Sequence, residues 1–273
     1  EGMVVQTASE RVIEARKTVL KLLLSNHNID CFNCEKNGDC ELQKYCNIYG
    51  IDTTPYFGSR GLLECEIPKK DAHPFLSYDQ SKCIYCQRCV QTCRVATGRR
   101  AIKLRRTGKF TIIDAPFGDD WEETRCESCG NCAQACPTGA LTIKRRKNYR
   151  PWEVKRVRTT CPHCATGCQY DLIVKDNKIV DVEGADGPSN HKMVCVKGRS
   201  GSFDFVDCDE RIRYPLIKNK ETGEFERATW DEALDLVASK FMEIKKKYGS
   251  DSLAGFACSR SPNEDIYMVQ KMV

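Results

Sequence analysis

Cys83, Cys86, Cys89 and Cys93 follow the spacing C-x2-C-x2-C-x3-C. The set returns 43 residues later, cysteine for cysteine, as Cys126, Cys129, Cys132 and Cys136, with Pro137 directly after it. Thiols two and three residues apart converge on one metal-containing group and pair poorly with distant strands. Quartets of this spacing ligate 4Fe–4S clusters, whose chemistry is one-electron transfer. Zinc ribbons are the competing use, but they want C-x2-C pairs rather than paired quartets with a following proline.

Two further sets flank this unit. Upstream, His27, Cys31, Cys34 and Cys40 read H-x3-C-x2-C-x5-C. Three cysteines on a 4Fe–4S cluster leave one iron open, and a histidine four positions ahead can fill it. Three cysteines with one histidine are also a structural zinc set, and the eight-cysteine unit downstream decides for iron. Exchanging a thiolate for neutral imidazole removes one negative charge, which raises the potential as in Rieske centres. Cys46 is an alternative to His27, but it reads, like Cys65, as a small buried hydrophobe. Downstream, Cys161, Cys164 and Cys168 read C-x2-C-x3-C, and Cys195 supplies a fourth thiol within Cys195-Val196-Lys197-Gly198-Arg199. This spacing also admits zinc. His163 could ligate here, with Cys195 the better fourth ligand. His73, His163 and His191 read as structural or surface residues. Cys208 and Cys258 stand alone and read as structural.

Composition is consistent with electron-transfer chemistry and excludes little else. The 273 residues are 41% hydrophobic and 30% charged, and 19 are cysteine. Closely spaced thiolates imply a reducing compartment. No run approaches the ~18 apolar residues of a membrane span. The net charge of +5 comes in clumps such as Lys144–Lys147 and Lys245–Lys247, without the interleaved aromatics of a nucleic-acid surface. Solvated faces and compensation of anionic clusters account for it. The chain starts at Glu1 without a signal peptide or twin-arginine segment and stops at Val273 inside a helix-like pattern, so both ends read as cuts in a longer protein.

The elements that must position these residues are short. An amphipathic helix over residues 7–25, with a Thr7/Glu10 capping box and a Val12, Ala15, Val19, Leu22, Leu23 stripe, leads to His27. A helical Glu41–Tyr49 segment follows Cys40. Ala101–Arg105 and Phe110–Ile113 read as a hairpin around Thr107–Gly108. Val154–Thr160, Tyr170–Lys175 and Lys178–Glu183 read as strands, turning at Asp176–Asn177. Thr229 and Glu232 cap a helix to Tyr248, Ser252–Cys258 reads as a buried strand, and Ser261–Pro262 opens another helix.

Taken together, these motifs carry a resemblance. The paired quartets resemble a bacterial-type two-cluster ferredoxin, in which each fourth cysteine crosses to the other cluster. That implies Cys83, Cys86 and Cys89 with Cys136, and Cys126, Cys129 and Cys132 with Cys93. The His27–Cys40 segment with Cys40-Glu41-Leu42-Gln43 resembles the histidine-ligated cluster domain of the complex I large subunit and of iron-only hydrogenases. Cys161–Cys168 with Cys195–Arg199 resembles the cluster domain of molybdenum or tungsten bis-pterin oxidoreductases, and Thr229–Leu234 resembles that family's first large helix. All modules in this order resemble the catalytic (alpha) subunit of cytoplasmic multi-cluster formate dehydrogenases.

The resemblance implies an α+β multi-domain chain: a histidine-ligated 4Fe–4S domain (1–77), a two-cluster ferredoxin-like domain (78–150), a β-rich 4Fe–4S domain (151–210) and the start of an α/β pterin domain (211–273). It implies four 4Fe–4S clusters, Lys197 bridging the last one to a pterin, and a molybdenum or tungsten bis-pterin guanine dinucleotide bound mostly by residues beyond 273. A 2Fe–2S domain ahead of Glu1 is the family's habit, and its catalytic cysteine or selenocysteine would lie past Val273. The partners implied are a flavin and NAD(P) subunit, iron–sulfur subunits, a ferredoxin or a hydrogenase, with formate and carbon dioxide as substrates and the cytoplasm as the location. The alternatives are another bis-pterin oxidoreductase, or an electron-transfer scaffold like the complex I large subunit, which lacks the eight-cysteine unit.

Overall fold

The computed structural model describes residues 2–57, 73–107, 110–114, 121–145, 147–200 and 203–273. The chain is an α+β multi-domain protein made of two compact units. One joins Glu1–Thr159 to Gln169–Arg199, and the other joins Thr160–Cys168 to Ser200–Val273.

The first unit opens with helix α1, Glu10–Ser25. Its N-cap is Ser9, whose hydroxyl accepts the Val12 N–H, so the helix starts later than the expected Thr7 cap. The buried side chains are Leu20 and Leu24, while Val19 and Leu22 face outward. Residues 19–24 are apolar nearly all round, and the i, i+4 pair that meets α2 wins. Helix α2, Glu41–Ile48, sets Leu42 and Cys46 against Leu20, Leu24 and Ile29.

The centre of this unit is a small core around the paired quartets. Strand β1 (Leu76–Tyr78) anchors one end, and the short helix α3 (Arg88–Gln91) continues as a π turn over Thr92–Ala96. A hairpin of β2 (Lys103–Thr107) and β3 (Phe110–Asp114) follows; its turn at 108–109 falls outside the described residues. Helix α4 (Asn131–Ala135) and strand β4 (Leu141–Ile143) complete the core. Strands β1 and β4 pair antiparallel, Leu76 opposite Ile143, although 67 positions separate them. Leu76, Tyr78, Ile113, Ala133 and Leu141 are buried with Cys93 and Cys132 among them.

The rest of this unit is a three-stranded sheet in the order β5 (Lys155–Thr160), β6 (Gln169–Lys175), β7 (Lys178–Gly184). Asp176 and Asn177, both at positive φ, make the expected hairpin turn. The side-chain amide of Gln134 clamps the end of β7, donating to the Gly184 carbonyl at 2.7 Å and accepting the Gly184 N–H at 3.2 Å. Helix α5, Val196–Ser200, follows.

The second unit carries the Thr160–Cys168 loop, the β8 (Leu216–Lys218) and β9 (Phe225–Arg227) pair, and helices α6 (Trp230–Tyr248) and α7 (Asn263–Met272). The Thr229/Glu232 capping box forms as expected. The expected strand over Ser252–Cys258 does not form. Leu253 itself is extended, but residues 254–258 are exposed and meet no ladder partner among the described residues. Pro262 is the N-cap of α7 rather than its first residue. No described helix is long and apolar enough to cross a membrane.

A Cβ at Gly184 would run into the Lys192 carbonyl, whereas one at Gly50 meets open space and only a left-handed backbone. Gly50→Ala should therefore cost about 1 kcal/mol. Gly184→Ala should cost more and lower the thermal midpoint by several degrees further. Equal midpoints for the two variants would contradict the close approach.

Candidate functional site

The eight central cysteines come together as two sets, each made of three neighbours and one thiol from the other quartet. Cys83, Cys86 and Cys136 all act on Cys89, whose thiol burial and then their repulsion push up to about 12. Burial, and then Cys129, Cys126, Cys89 and Cys93, raise Cys132 well above its ordinary value. Cys89 belongs to the other set, so the two sets adjoin. A small open hollow is lined by Cys93, Cys126, Cys129 and Cys132 with Leu76, Ala101 and Ile102.

The two quartets adopt one backbone shape. Tyr85 and Ser128 both have φ 56°, and Gln87 and Gly130 have φ 61° and 71°. Left-handed non-glycine residues cost energy and gather at functional sites. Here the turn aims amides at sulfur: Tyr85 N–H points to Cys83 Sγ at 3.5 Å, and Ser128 N–H to Cys126 Sγ at 3.4 Å. Ala101 N–H reaches Cys93 Sγ at 3.2 Å, and Asn131 Nδ2 reaches Cys129 Sγ at 3.5 Å. Donors of this kind favour negatively charged sulfur.

Two residues around these sets escaped sequence reasoning. His73 is fully buried. Its Nδ1 accepts the Phe75 and Leu76 amides at 3.1 and 3.0 Å, which places the ring proton on Nε2, 3.5 Å from Cys126 Sγ. Arg199 is 5% exposed. Its Nε donates to the Cys129 carbonyl at 2.8 Å, and its Nη2 donates to Asn131 Oδ1 at 2.9 Å and Gln134 Oε1 at 2.6 Å. Its place four residues after Cys195 was visible, but its direction was not.

The His27 set packs against this core. Asn28 N–H donates to the Ser81 carbonyl and Glu41 N–H to the Pro137 carbonyl, both at 2.9 Å. A Cβ on Gly139 would stand 2.5 Å from Cys34 Sγ, so only glycine lets the chain pass there. Arg150 reaches back to the carbonyls of Cys34 and Phe32 at 3.3 and 3.1 Å. His27 is buried; the Lys82 backbone hydrogen-bonds its ring, while Nδ1 is enclosed without a partner. Burial lowers its pKa, so the imidazole is neutral at neutral pH, as a metal ligand requires. Burial raises Cys31 and Cys40, with Cys34 beside both. Cys46 is 3% exposed and also lies near Cys40 and Cys31.

In the second unit, the Cys161 N–H donates to the Cys168 carbonyl at 2.8 Å, which closes the loop that carries Cys161, Cys164 and Cys168. His163 stands edge-on to Phe205 and has its Nε2 enclosed without a hydrogen-bond partner. In the first unit, α5 turns Cys195 and Lys197 outward while Gly198 and Arg199 are buried. Among the described residues, no three His, Cys, Asp or Glu groups sit at the spacing of a single metal ion. Cys65 lies outside the described residues, and Cys258 is exposed.

The donor set fits iron–sulfur groups: thiols gathered in fours, amides aimed at sulfur, a hollow between them, and a neutral imidazole with one nitrogen unpartnered. Residues 16–55 match the NADH-ubiquinone oxidoreductase-G iron-sulfur binding region, and 73–142 match the ferredoxin-like domain of NADH-quinone oxidoreductase subunit 3. Residues 154–204 match the molybdopterin oxidoreductase Fe4S4 domain, and 211–273 match molybdopterin oxidoreductase. The whole chain is 34% identical to NADPH-Fe(3+) oxidoreductase subunit alpha of Geobacter sulfurreducens and 32% identical to a G-type subunit of the NADH-quinone oxidoreductase of Rhizobium meliloti. It is 30% identical, over 99% of its length, to a Staphylococcus aureus protein named for formate dehydrogenase. The chain spans 31% of the length of each of these relatives. Residues 154–204 and 211–273 are thus similar to molybdopterin oxidoreductases, and residues 16–55 and 73–142 ahead of them to iron–sulfur regions of NADH-quinone oxidoreductases.

Proposed function

We propose that this chain is the electron-transferring portion of a formate dehydrogenase or carbon dioxide reductase catalytic subunit. Four 4Fe–4S clusters would supply one-electron transfer between a molybdenum or tungsten bis-pterin centre and a partner redox subunit. Their ligands are His27, Cys31, Cys34 and Cys40; Cys83, Cys86, Cys89 and Cys136; Cys126, Cys129, Cys132 and Cys93; and, by sequence spacing, Cys161, Cys164, Cys168 and Cys195. The observation that carries the reading is the pair of adjoining thiol sets, each completed by a cysteine from the other quartet.

The chain's own residues bury the thiols, supply N–H donors to sulfur and fix the spacing between sets. Lys197, exposed two residues after Cys195, is the side chain offered to the pterin, and its ammonium suits an anionic neighbour and heteroatom acceptors. Four modules, 1–77, 78–150, 151–210 and 211–273, divide this work. The protein named for formate dehydrogenase supports the substrate assignment. The other two relatives support a second reading, an electron-transfer subunit of another oxidoreductase complex. A flavin and NAD(P) subunit, an iron–sulfur subunit, a ferredoxin or a hydrogenase would take the electrons, in the cytoplasm.

The full-length protein, loaded with metal and pterin, should reduce a viologen dye with formate and carry about 16 iron atoms on the four ligand sets named above. Loaded protein that is silent toward formate would leave the second reading. Stoichiometric zinc would remove the His27 or Cys161 set from the scheme.

His27 and Cys46 separate by substitution. His27→Cys adds a thiolate and should leave a cluster with a lowered midpoint potential in a spectroscopic redox titration. Cys46→Ala should cost about 1 kcal/mol of stability and leave every potential unchanged. A lost or altered cluster in Cys46→Ala, with none in His27→Cys, would transfer the ligand role to Cys46.

A further inference from the structure

Arg199 holds the one strongly buried guanidinium among the described residues, and the oxygens that accept from it there are all neutral. A buried cation without a counter-charge costs several kcal/mol. The opposite charges that act on it are, in order, Cys129, Asp181, Cys132 and Glu183. Both carboxylates have other partners: Asp181 accepts from Tyr149 at 2.7 Å, and Glu183 pairs with Arg156 and Lys147. Glu183 is thus already paired with cations, Asp181 is held by a neutral hydroxyl, and Cys129, whose carbonyl Arg199 Nε holds, is the first of the charges that answer the guanidinium.

The twin quartet lacks this arrangement. Gly130 there becomes Gln87, and a Cβ on Gly130 would stand 2.7 Å from Arg199 Cδ. Asn131 there becomes Arg88, whose guanidinium grips both Glu41 oxygens at 2.8 Å and is about half exposed. An exposed, paired charge is cancelled and screened, whereas a buried one is not.

We propose that Arg199 is a positioning residue for electron flow: it raises the reduction potential of the cluster at Cys93, Cys126, Cys129 and Cys132 above that of its twin. One-electron reduction adds a negative charge beside the guanidinium, which favours the reduced form. The inference rests on the ligand assignment proposed above. Because Arg199 lies four residues after Cys195, the segment that offers Lys197 outward also sets the potential inward.

The test is a spectroscopically monitored redox titration of the full-length holoenzyme, with iron counted in each sample. Arg199→Gln should keep the wild-type iron content and lower one cluster's midpoint by at least a tenfold shift in its reduction equilibrium, about 59 mV for one electron. Arg199→Lys should recover most of the potential, and Arg88→Gln should move its own cluster much less. Where Arg199→Gln does not load its clusters, Gln134→Glu leaves the arginine in place, adds a negative charge at its Nη2, and should lower the same potential. Full iron with unmoved potentials in Arg199→Gln, or in Gln134→Glu when that variant decides, would overturn the inference. Wild-type iron too low for the Cys126 set would instead overturn the ligand assignment.

Discussion

Thiols brought together in a buried place repel one another as soon as they ionise, and every part of the central core answers to that. Burial and mutual repulsion lift Cys89 and Cys132 well above ordinary thiols, and burial lifts Cys83. Only a positively charged group between them makes thiolates the stable form there. The surroundings are already arranged for that state. Amides at Tyr85, Ser128 and Ala101 point at sulfur, Asn131 and His73 Nε2 do the same, and Arg199 brings a full charge. Holding left-handed turns at Tyr85, Gln87 and Ser128 costs strain, which the β1–β4 pairing and the apolar core around Leu76 and Leu141 sustain.

The repeated quartets give one shape twice, but each copy meets a different neighbour. The residue before the third cysteine is the point of divergence. In the first copy Arg88 reaches Glu41 beside the His27 set. In the second, Asn131 accepts the Val194 amide and the Arg199 guanidinium from the segment around Cys195. A near-symmetric pair thus acquires two distinguishable sides through one position in each copy.

Much of this was legible because cysteine spacing is a local property. C-x2-C-x2-C fixes three thiols on one turn whatever the rest of the chain does, and the capping box at Thr229 is equally local. The misreadings lie where the outcome depends on a distant partner. The apolar side of α1 was ambiguous until α2 lay against it. Ser252–Cys258 has strand composition but no strand to pair with among the described residues. His73 and Arg199 are ordinary as residue types, and they matter because long-range packing delivers them to sulfur. The crossing of Cys93 and Cys136 was legible only through resemblance, since spacing alone does not say which set the fourth thiol joins.

The seating of the His27 segment has a consequence for how the chain is made. Cys34 lies against Gly139, Glu41 leans on Pro137, and Arg150 closes over Phe32 and Cys34. These contacts span 96 to 118 positions. Synthesis runs from the N-terminus at about 5–20 residues per second, so His27, Cys31, Cys34 and Cys40 leave the ribosome many seconds before the surfaces that enclose them. Of the four proposed ligand sets, the one translated first is thus closed only after about a hundred further residues have followed it. Throughout that interval its thiols are open to oxidation and to the wrong metal, which makes the delay itself a demand on the cell that builds this protein.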